Sequence, residues 1–271
     1  MFSIIGIGDN VVDRYLHLNT MFPGGNAVNV PVLARKLGAR AAYIGIIGTD
    51  APGELVKRSL MAEGVDISRL QQAEGENGAA DVDLVDNDRI FVGGNSSTSV
   101  AKKISLSPED YEFAKSFDLI HTSIYSFVEE FLPQMHKTGV PVSFDYSDEY
   151  TEDYIKSTIR YVDYALFSGG DKSLESIKQL QRNVVSAGAK IVLVTRGSLG
   201  AIVYDGNDFY EEDVVQTKVV DTMGAGDAFT ARFLFGLFSG EGIQVSMREA
   251  AAFAAENCKH MGTFGHGAPI K

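Results

Sequence analysis

The chain has 271 residues, 45% of them hydrophobic and 22% charged, with a formal net charge of −12. That balance supports a packed core rather than a disordered tail, and the acidity makes nucleic acid and anionic membranes poor partners. Cys258 is the single cysteine, so no internal disulfide forms, as suits a reducing cytosol; no basic–apolar leader opens the sequence, and no apolar run reaches the ~18 residues of a membrane span.

Residues 2–8 are an apolar run ending in Gly8, the pattern of a buried strand, and Gly8-Asp9-Asn10 follows where such a strand meets its loop. Asp13 and the alternating stretch Tyr15-Leu16-His17-Leu18 come next. Pro23-Gly24-Gly25 turns the chain into a helix over 26–37, closed by Gly38. Asn26 and Asn29 lie on its first turn, where Asn26 is either an N-cap or a ligand contact; Asn29 is already inside the helix. Residues 40–47 read as a strand and 52–63 as a helix. Residues 80–85 and 89–92 flank Asp86-Asn87-Asp88 as a hairpin, away from any helix, which predicts a small separate β-layer. From Ser107-Pro108-Glu109-Asp110, a helix start, strand and helix alternate again. Strands are predicted at 118–121, 140–144, 161–167 and 190–194, and helices near 129–138, 152–159 and 172–187. This rhythm specifies a parallel sheet with helices on both faces, in one unit spanning 1–271. A second hairpin covers 201–204 and 208–210, and apolar helices cover 228–238 and 247–261.

Between them lies the stretch that concentrates the chemistry. Residues 216–220, with the β-branched Thr217, Val219 and Val220, read as a strand end; then comes Met223-Gly224-Ala225-Gly226-Asp227, opening a helix. A small-residue turn at a helix start presents free N–H groups and partial positive charge, an anion site. Asp227, in the first turn, either caps the helix or serves as a general base beside a transferring phosphoryl group. Thr195-Arg196-Gly197 and Ser168-Gly169-Gly170-Asp171 follow predicted strands, where a ligand collects in an open α/β sheet. Phe144-Asp145-Tyr146-Ser147 also ends a strand. The histidines show no metal-ligand spacing, and P-loop and dinucleotide motifs are absent.

Asp221-Thr222-Met223-Gly224-Ala225-Gly226-Asp227 resembles the C-terminal signature of the ribokinase-like (PfkB) carbohydrate kinases. Gly24-Gly25-Asn26-Ala27-Val28-Asn29-Val30 resembles the N-terminal one, about two hundred residues earlier. The resemblance spans the chain. It implies a three-layer α/β fold with a mostly parallel central sheet and a β lid, its strands near 13–20 and 79–100, through which two copies pair. It implies an ATP-dependent sugar kinase acting on a primary hydroxyl, with Mg2+ and a potassium site. Asp227 becomes the base, with Gly224, Ala225 and Gly226 N–H groups as the anion hole. Asp13, Gly25 and Asn29 become sugar contacts, and Arg89 on the lid closes over substrate or phosphate. Ser168, Thr195, Gly197 and Ala251 become nucleotide contacts. Asp171 stands where relatives carry a magnesium-linked acid, and Asp221 and Met223 where relatives bind a monovalent cation.

Gly8-Asp9-Asn10-Val11-Val12-Asp13 and the lid turn at 85–91 resemble the fructoselysine 6-kinase branch. Asn26 replaces a lysine common in relatives, which argues against ribose specificity. On this branch Asp9, Asp13, Asp81, Asp83, Asp86 and Asp88 are the acids available to a substrate amine. A fructokinase, ribokinase or nucleoside kinase is the alternative within the family, and a non-catalytic sugar- or nucleotide-binding regulator is the alternative outside it.

Overall fold

The computed structural model describes residues 1–85, 88–95, 103–170 and 172–270. The chain opens with β1 (Ser3–Gly8), buried at every position, as a strand covered on both faces requires. β2 (Val11–Tyr15) and β3 (Thr20–Gly24) form a hairpin, and α1 (Asn26–Lys36) leads to β4 (Arg40–Ile47). After α2 (Ala51–Ala62) come the short β5 (Gln71–Gln72), β6 (Ala79–Val85) and β7 (Asp88–Gly94). The alternation then runs α3 (Pro108–Ala114), β8 (Leu119–Ser123), α4 (Leu132–Lys137), β9 (Val142–Asp145), α5 (Glu152–Thr158), β10 (Tyr164–Ser168), α6 (Leu174–Ser186) and β11 (Ile191–Thr195). It closes with β12 (Ala201–Tyr204), β13 (Phe209–Glu212), α7 (Ala225–Phe238), α8 (Ile243–Asn257) and β14 (Ala268–Pro269).

The central sheet has the order β13-β12-β11-β10-β9-β8-β1-β4-β5. It is parallel from β5 to β11, and β12 and β13 add an antiparallel edge. One face packs on α3, α4, α5 and α6 through residues such as Ala114, Met135, Ile155 and Ile177. The other packs on α1, α2, α7 and α8 through Val28, Leu60, Leu234 and Met247. This is the three-layer arrangement expected. The carboxyl ends of β1, β8, β9, β10 and β11 gather along one rim, where an open parallel sheet places its ligands.

The lid is a second sheet, β14-β3-β2-β6-β7. It rests on the body through a small apolar cluster of Tyr15, Phe22 and Val82 against Met223 and Met261. Its hairpin differs from the alternation expected near 13–20: Leu16–Leu18 is a single 3-10 turn with Leu16 and Leu18 exposed, and strands flank it on both sides. β14 and β5, two residues each, are too short to show a period. Residues 86–87 and 96–100 of the predicted lid, and 101–102 just after it, lie outside the described residues.

Residues 216–220 are not a strand. They form an irregular segment with Val219 and Val220 exposed, pinned where the Val220 and Asp221 N–H groups donate to the Cys258 carbonyl at 2.8 and 3.1 Å. Branched side chains favour an extended backbone, but a strand also needs a neighbour to pair with. The last helices also begin earlier than predicted, at Ala225 and Ile243.

Candidate active site

The anion turn is built by steric necessity. Gly224 has φ +70° and is the N-cap of α7; a Cβ there would come within 2.3 Å of Thr263. The Ala225 N–H closes onto the Thr222 carbonyl at 3.2 Å. Of the expected donors the Ala225 N–H is therefore already used, while those of Gly226 and of the next residue, Asp227, stand in the first turn, where a helix uses no N–H of its own. A Cβ on Gly226 would meet nothing nearer than Thr195 Oγ1 at 4.0 Å, so the backbone there is open to approach. The cleft in front of it has a volume of about 360 Å³. Asp145, Ser168 and Thr195 line it from the ends of β9, β10 and β11, Asn26 from α1, and Phe91 from the lid.

Asp227 makes no capping hydrogen bond. Its carboxylate turns to α1 instead: Oδ2 accepts from Asn29 Nδ2 at 2.7 Å and Oδ1 from Asn26 Nδ2 at 3.2 Å. Asn26 Nδ2 also donates to Asp145 Oδ2 at 2.9 Å, so one amide bridges two acids. Asn26 is therefore no N-cap; Gly25 holds that position with φ +105°. Burial pushes the Asp227 carboxyl up to about 8, with the negative charges of Asp145, Asp9 and Asp13 adding and the Asn29 hydrogen bond opposing. Burial likewise raises Asp145 to about 6, against the Ser147 N–H and the Asn26 amide. None of the described residues lining the cleft is a lysine or arginine.

The other expected contacts fall in distinct places. Asp9 is buried, and its Oδ1 accepts from Ser123 Oγ at 2.7 Å, Ser126 Oγ at 2.8 Å and the Ala27 N–H at 3.3 Å, so it anchors the start of α1. Asp13 is buried on β2, and Gly24 faces its Oδ2 so closely that a Cβ would come within 2.6 Å. Asp81 is held by Arg14 in a two-point ion pair at 2.6 and 3.0 Å, and Asp83 lies 3.4 Å from His17. These two lid acids thus have partners on the lid itself. Ser168 and Thr195 line the cleft, and Gly197 opens the 3-10 turn just beyond. Ala251 is not among the cleft residues; it is packed between α8 and the sheet with Leu166, Leu193 and Phe229. Asp221 is buried, with Oδ1 accepting the Met223 N–H at 3.0 Å and Oδ2 the Gly262 N–H at 2.8 Å and the Tyr15 hydroxyl at 2.6 Å. Asp171 and Asp86 lie outside the described residues, and of Arg89 the backbone is described, paired with Leu84 between β7 and β6.

A carboxylate held beside an open helix-start turn, on the carboxyl rim of a parallel sheet and under a β lid, defines a small-molecule phosphotransferase. The pfkB family carbohydrate kinase model matches residues 8–269, and the chain belongs to that family. It is 42% identical to the fructosamine kinase FrlD of Bacillus subtilis over 99% of this chain and 95% of that one. It is 35% identical to the fructoselysine 6-kinase of Escherichia coli, over 97% of this chain and all of that one. Its fold matches Arabidopsis thaliana ribokinase, solved with ribose and ATP, at a TM-score of 0.81 and 22% identity, covering 97% and 94% of the two chains. The protein is an ATP-dependent sugar kinase, close in sequence to kinases of fructosamines. No helix among the described residues is long and apolar enough to cross a membrane.

Replacing Asp227 by Asn should lower kcat at least ~100-fold if it is the base, with the KM for ATP nearly unchanged. The base must be ionised, so wild-type kcat/KM should rise with pH and level off above about 8. The same raised carboxyl makes an opposite mark on stability. Its contribution is complete below the ordinary value of 3.8 and is lost as pH rises through about 8. The Asn variant lacks that loss, so its melting temperature relative to wild type should climb between pH 4 and pH 9; a flat difference together with near-normal turnover would remove Asp227 from both roles.

Gly226→Val should fold, since the space beside its Cβ is open, and yet lose turnover, because the side chain occupies the approach to the turn. A folded variant with wild-type kcat would place the phosphoryl group elsewhere.

Proposed function

We propose that the acceptor is a fructosamine, a ketose bearing an amine at C1, phosphorylated on its 6-hydroxyl by ATP, with fructoselysine as the model substrate. The observation that carries this reading is the charge of the cleft. Asp145 and Asp227 share one neutral amide, with Asp9 and Asp13 near enough to raise Asp227, and no lysine or arginine stands among the described lining residues. Two acids on a cleft whose described lining residues include no lysine or arginine favour a ligand that brings a cation. The names of the curated relatives point the same way.

In this reading Asp227 takes the proton of the acceptor hydroxyl, and the Gly226 and Asp227 N–H groups meet the transferring phosphoryl group. Asp13, Gly25 and Asn29 hold the sugar, Asp145 faces the amine, and Ser168, Thr195 and Gly197 hold the nucleotide. Among the described residues no three His, Cys, Asp or Glu side chains form a metal cage. Hydroxyl groups around a phosphate site suit a magnesium ion that arrives on the nucleotide and keeps most of its water. A potassium ion would use main-chain oxygens near Asp221 and Met223, since the Asp221 carboxylate already accepts from Tyr15, Met223 and Gly262. With one buried cysteine, the protein suits the cytoplasm.

ADP release measured over fructoselysine, psicoselysine, fructose and ribose tests the substrate. The kcat/KM for fructoselysine should exceed that for fructose about tenfold or more, worth about 1.4 kcal/mol, and Asp145→Asn should narrow the gap. A wild-type preference for fructose would reject the fructosamine and leave the kinase intact.

The lid suggests assembly. β7 is the last strand of its sheet, with Ile90, Phe91 and Val92 exposed at 40, 66 and 47%. An exposed apolar edge invites a second copy, so a homodimer through this sheet should appear in sedimentation at tens of micromolar; a monomer there would count against it.

A further inference from the structure

Strand β2 touches both halves of the site at once. Asp13 and Tyr15 are two residues apart, both buried, and so stand on the same face of the strand, toward the body. Arg14, between them, points the other way to Asp81. The Tyr15 hydroxyl donates to Asp221 Oδ2 at 2.6 Å across 206 residues of sequence. The same carboxylate takes the N–H of Met223, the residue before Gly224, and the N–H of Gly262. The Tyr15 ring is fixed independently, edge-on to Phe22 at 5.2 Å between centroids. The lid, the anion turn and the C-terminal loop thus meet at one carboxylate.

We propose that Tyr15 is a positioning residue that registers the acceptor against the phosphoryl group. One end of a short, stiff segment carries Asp13, on the sugar side; the other is tied by a charge-assisted hydrogen bond to the turn that receives the phosphoryl group. With the tie made, placing the sugar under the lid also places the anion turn. Without it, each half still binds its own ligand, but their separation is no longer set. Small errors in that separation act on the rate of transfer rather than on either affinity. This goes beyond the fructosamine reading and holds for whichever sugar the enzyme accepts. It does rest on the assignment of Asp13 to the sugar side. That assignment is measured separately, by a rise in sugar KM in Asp13→Asn.

Tyr15→Phe removes the hydroxyl and keeps the ring. We expect kcat to fall about tenfold, with the KM for ATP and for sugar within about twofold of wild type and little change in melting temperature. Asp221→Asn should lower kcat by a similar factor, and the double variant should fall no further, because both remove one link. Should Asp221→Asn fail to fold, the kcat-against-KM split in Tyr15→Phe decides alone. A kcat within twofold of wild type, losses that multiply in the double variant, or a parallel loss of kcat, affinity and melting temperature would each overturn the proposal. An unchanged sugar KM in Asp13→Asn would instead overturn the sugar-side assignment.

Discussion

Asp227 and Asp145 line one cleft beside an open helix-start turn, a like-charge pair whose cost the molecule is arranged to meet. The support comes from two amides, Asn26 and Asn29, on the first turn of α1. That turn is itself held, because Asp9, just after β1, accepts the Ala27 N–H on the same oxygen that takes the hydroxyls of Ser123, at the end of β8, and Ser126, just beyond it. The helices are locked to each other as well, through Ala27 and Val28 of α1 in the same cluster as Ala228 and Ala231 of α7. A continuous line of contact therefore runs from the middle of the sheet to Asp227. Close packing makes that line stiff, which is what a proton acceptor with a fixed partner needs.

The parts of this design that were legible in the sequence are those imposed by local sterics or local period. A strand buried on both faces must be apolar throughout, so β1, β4 and β11 stood out as runs. A turn that demands φ +70° and presses on Thr263 must carry glycine, so the anion site announced itself. The two family signatures then fixed the order of the pieces. Residues 216–220 misled because branched side chains report what the backbone tolerates and not whether a neighbouring strand is there to receive it. Leu16–Leu18 misled because two exposed leucines about a histidine in a 3-10 turn copy the alternation of a strand.

The polar links across the site were hidden for another reason. Asn26 reaches Asp145 across 119 residues and Asp227 across 201, and Tyr15 reaches Asp221 across 206. No window of sequence contains such a pair. Asp145 was visible as an acid at a strand end, able to line a pocket, but not as a partner of Asn26, and nothing in the sequence marked Ser123 or Ser126. Their meaning depends on the sheet order, which places β1, β8 and β9 side by side. Asp9 shows the converse. It was read as a ligand contact, and it also has a structural part that no window of sequence shows, with three protein donors on Oδ1.

The amide that divides itself between Asp145 and Asp227 has a consequence for the end of the catalytic cycle. A lysine in its place would attract both the incoming nucleotide and the departing sugar phosphate. Asn26 offers hydrogen bonds and no net charge, so it adds no attraction of its own when a neutral hydroxyl has become a phosphate monoester. Like charges at short range in a poorly hydrated site repel strongly. Compared with a lysine in the same place, the amide therefore holds a phosphorylated product less tightly.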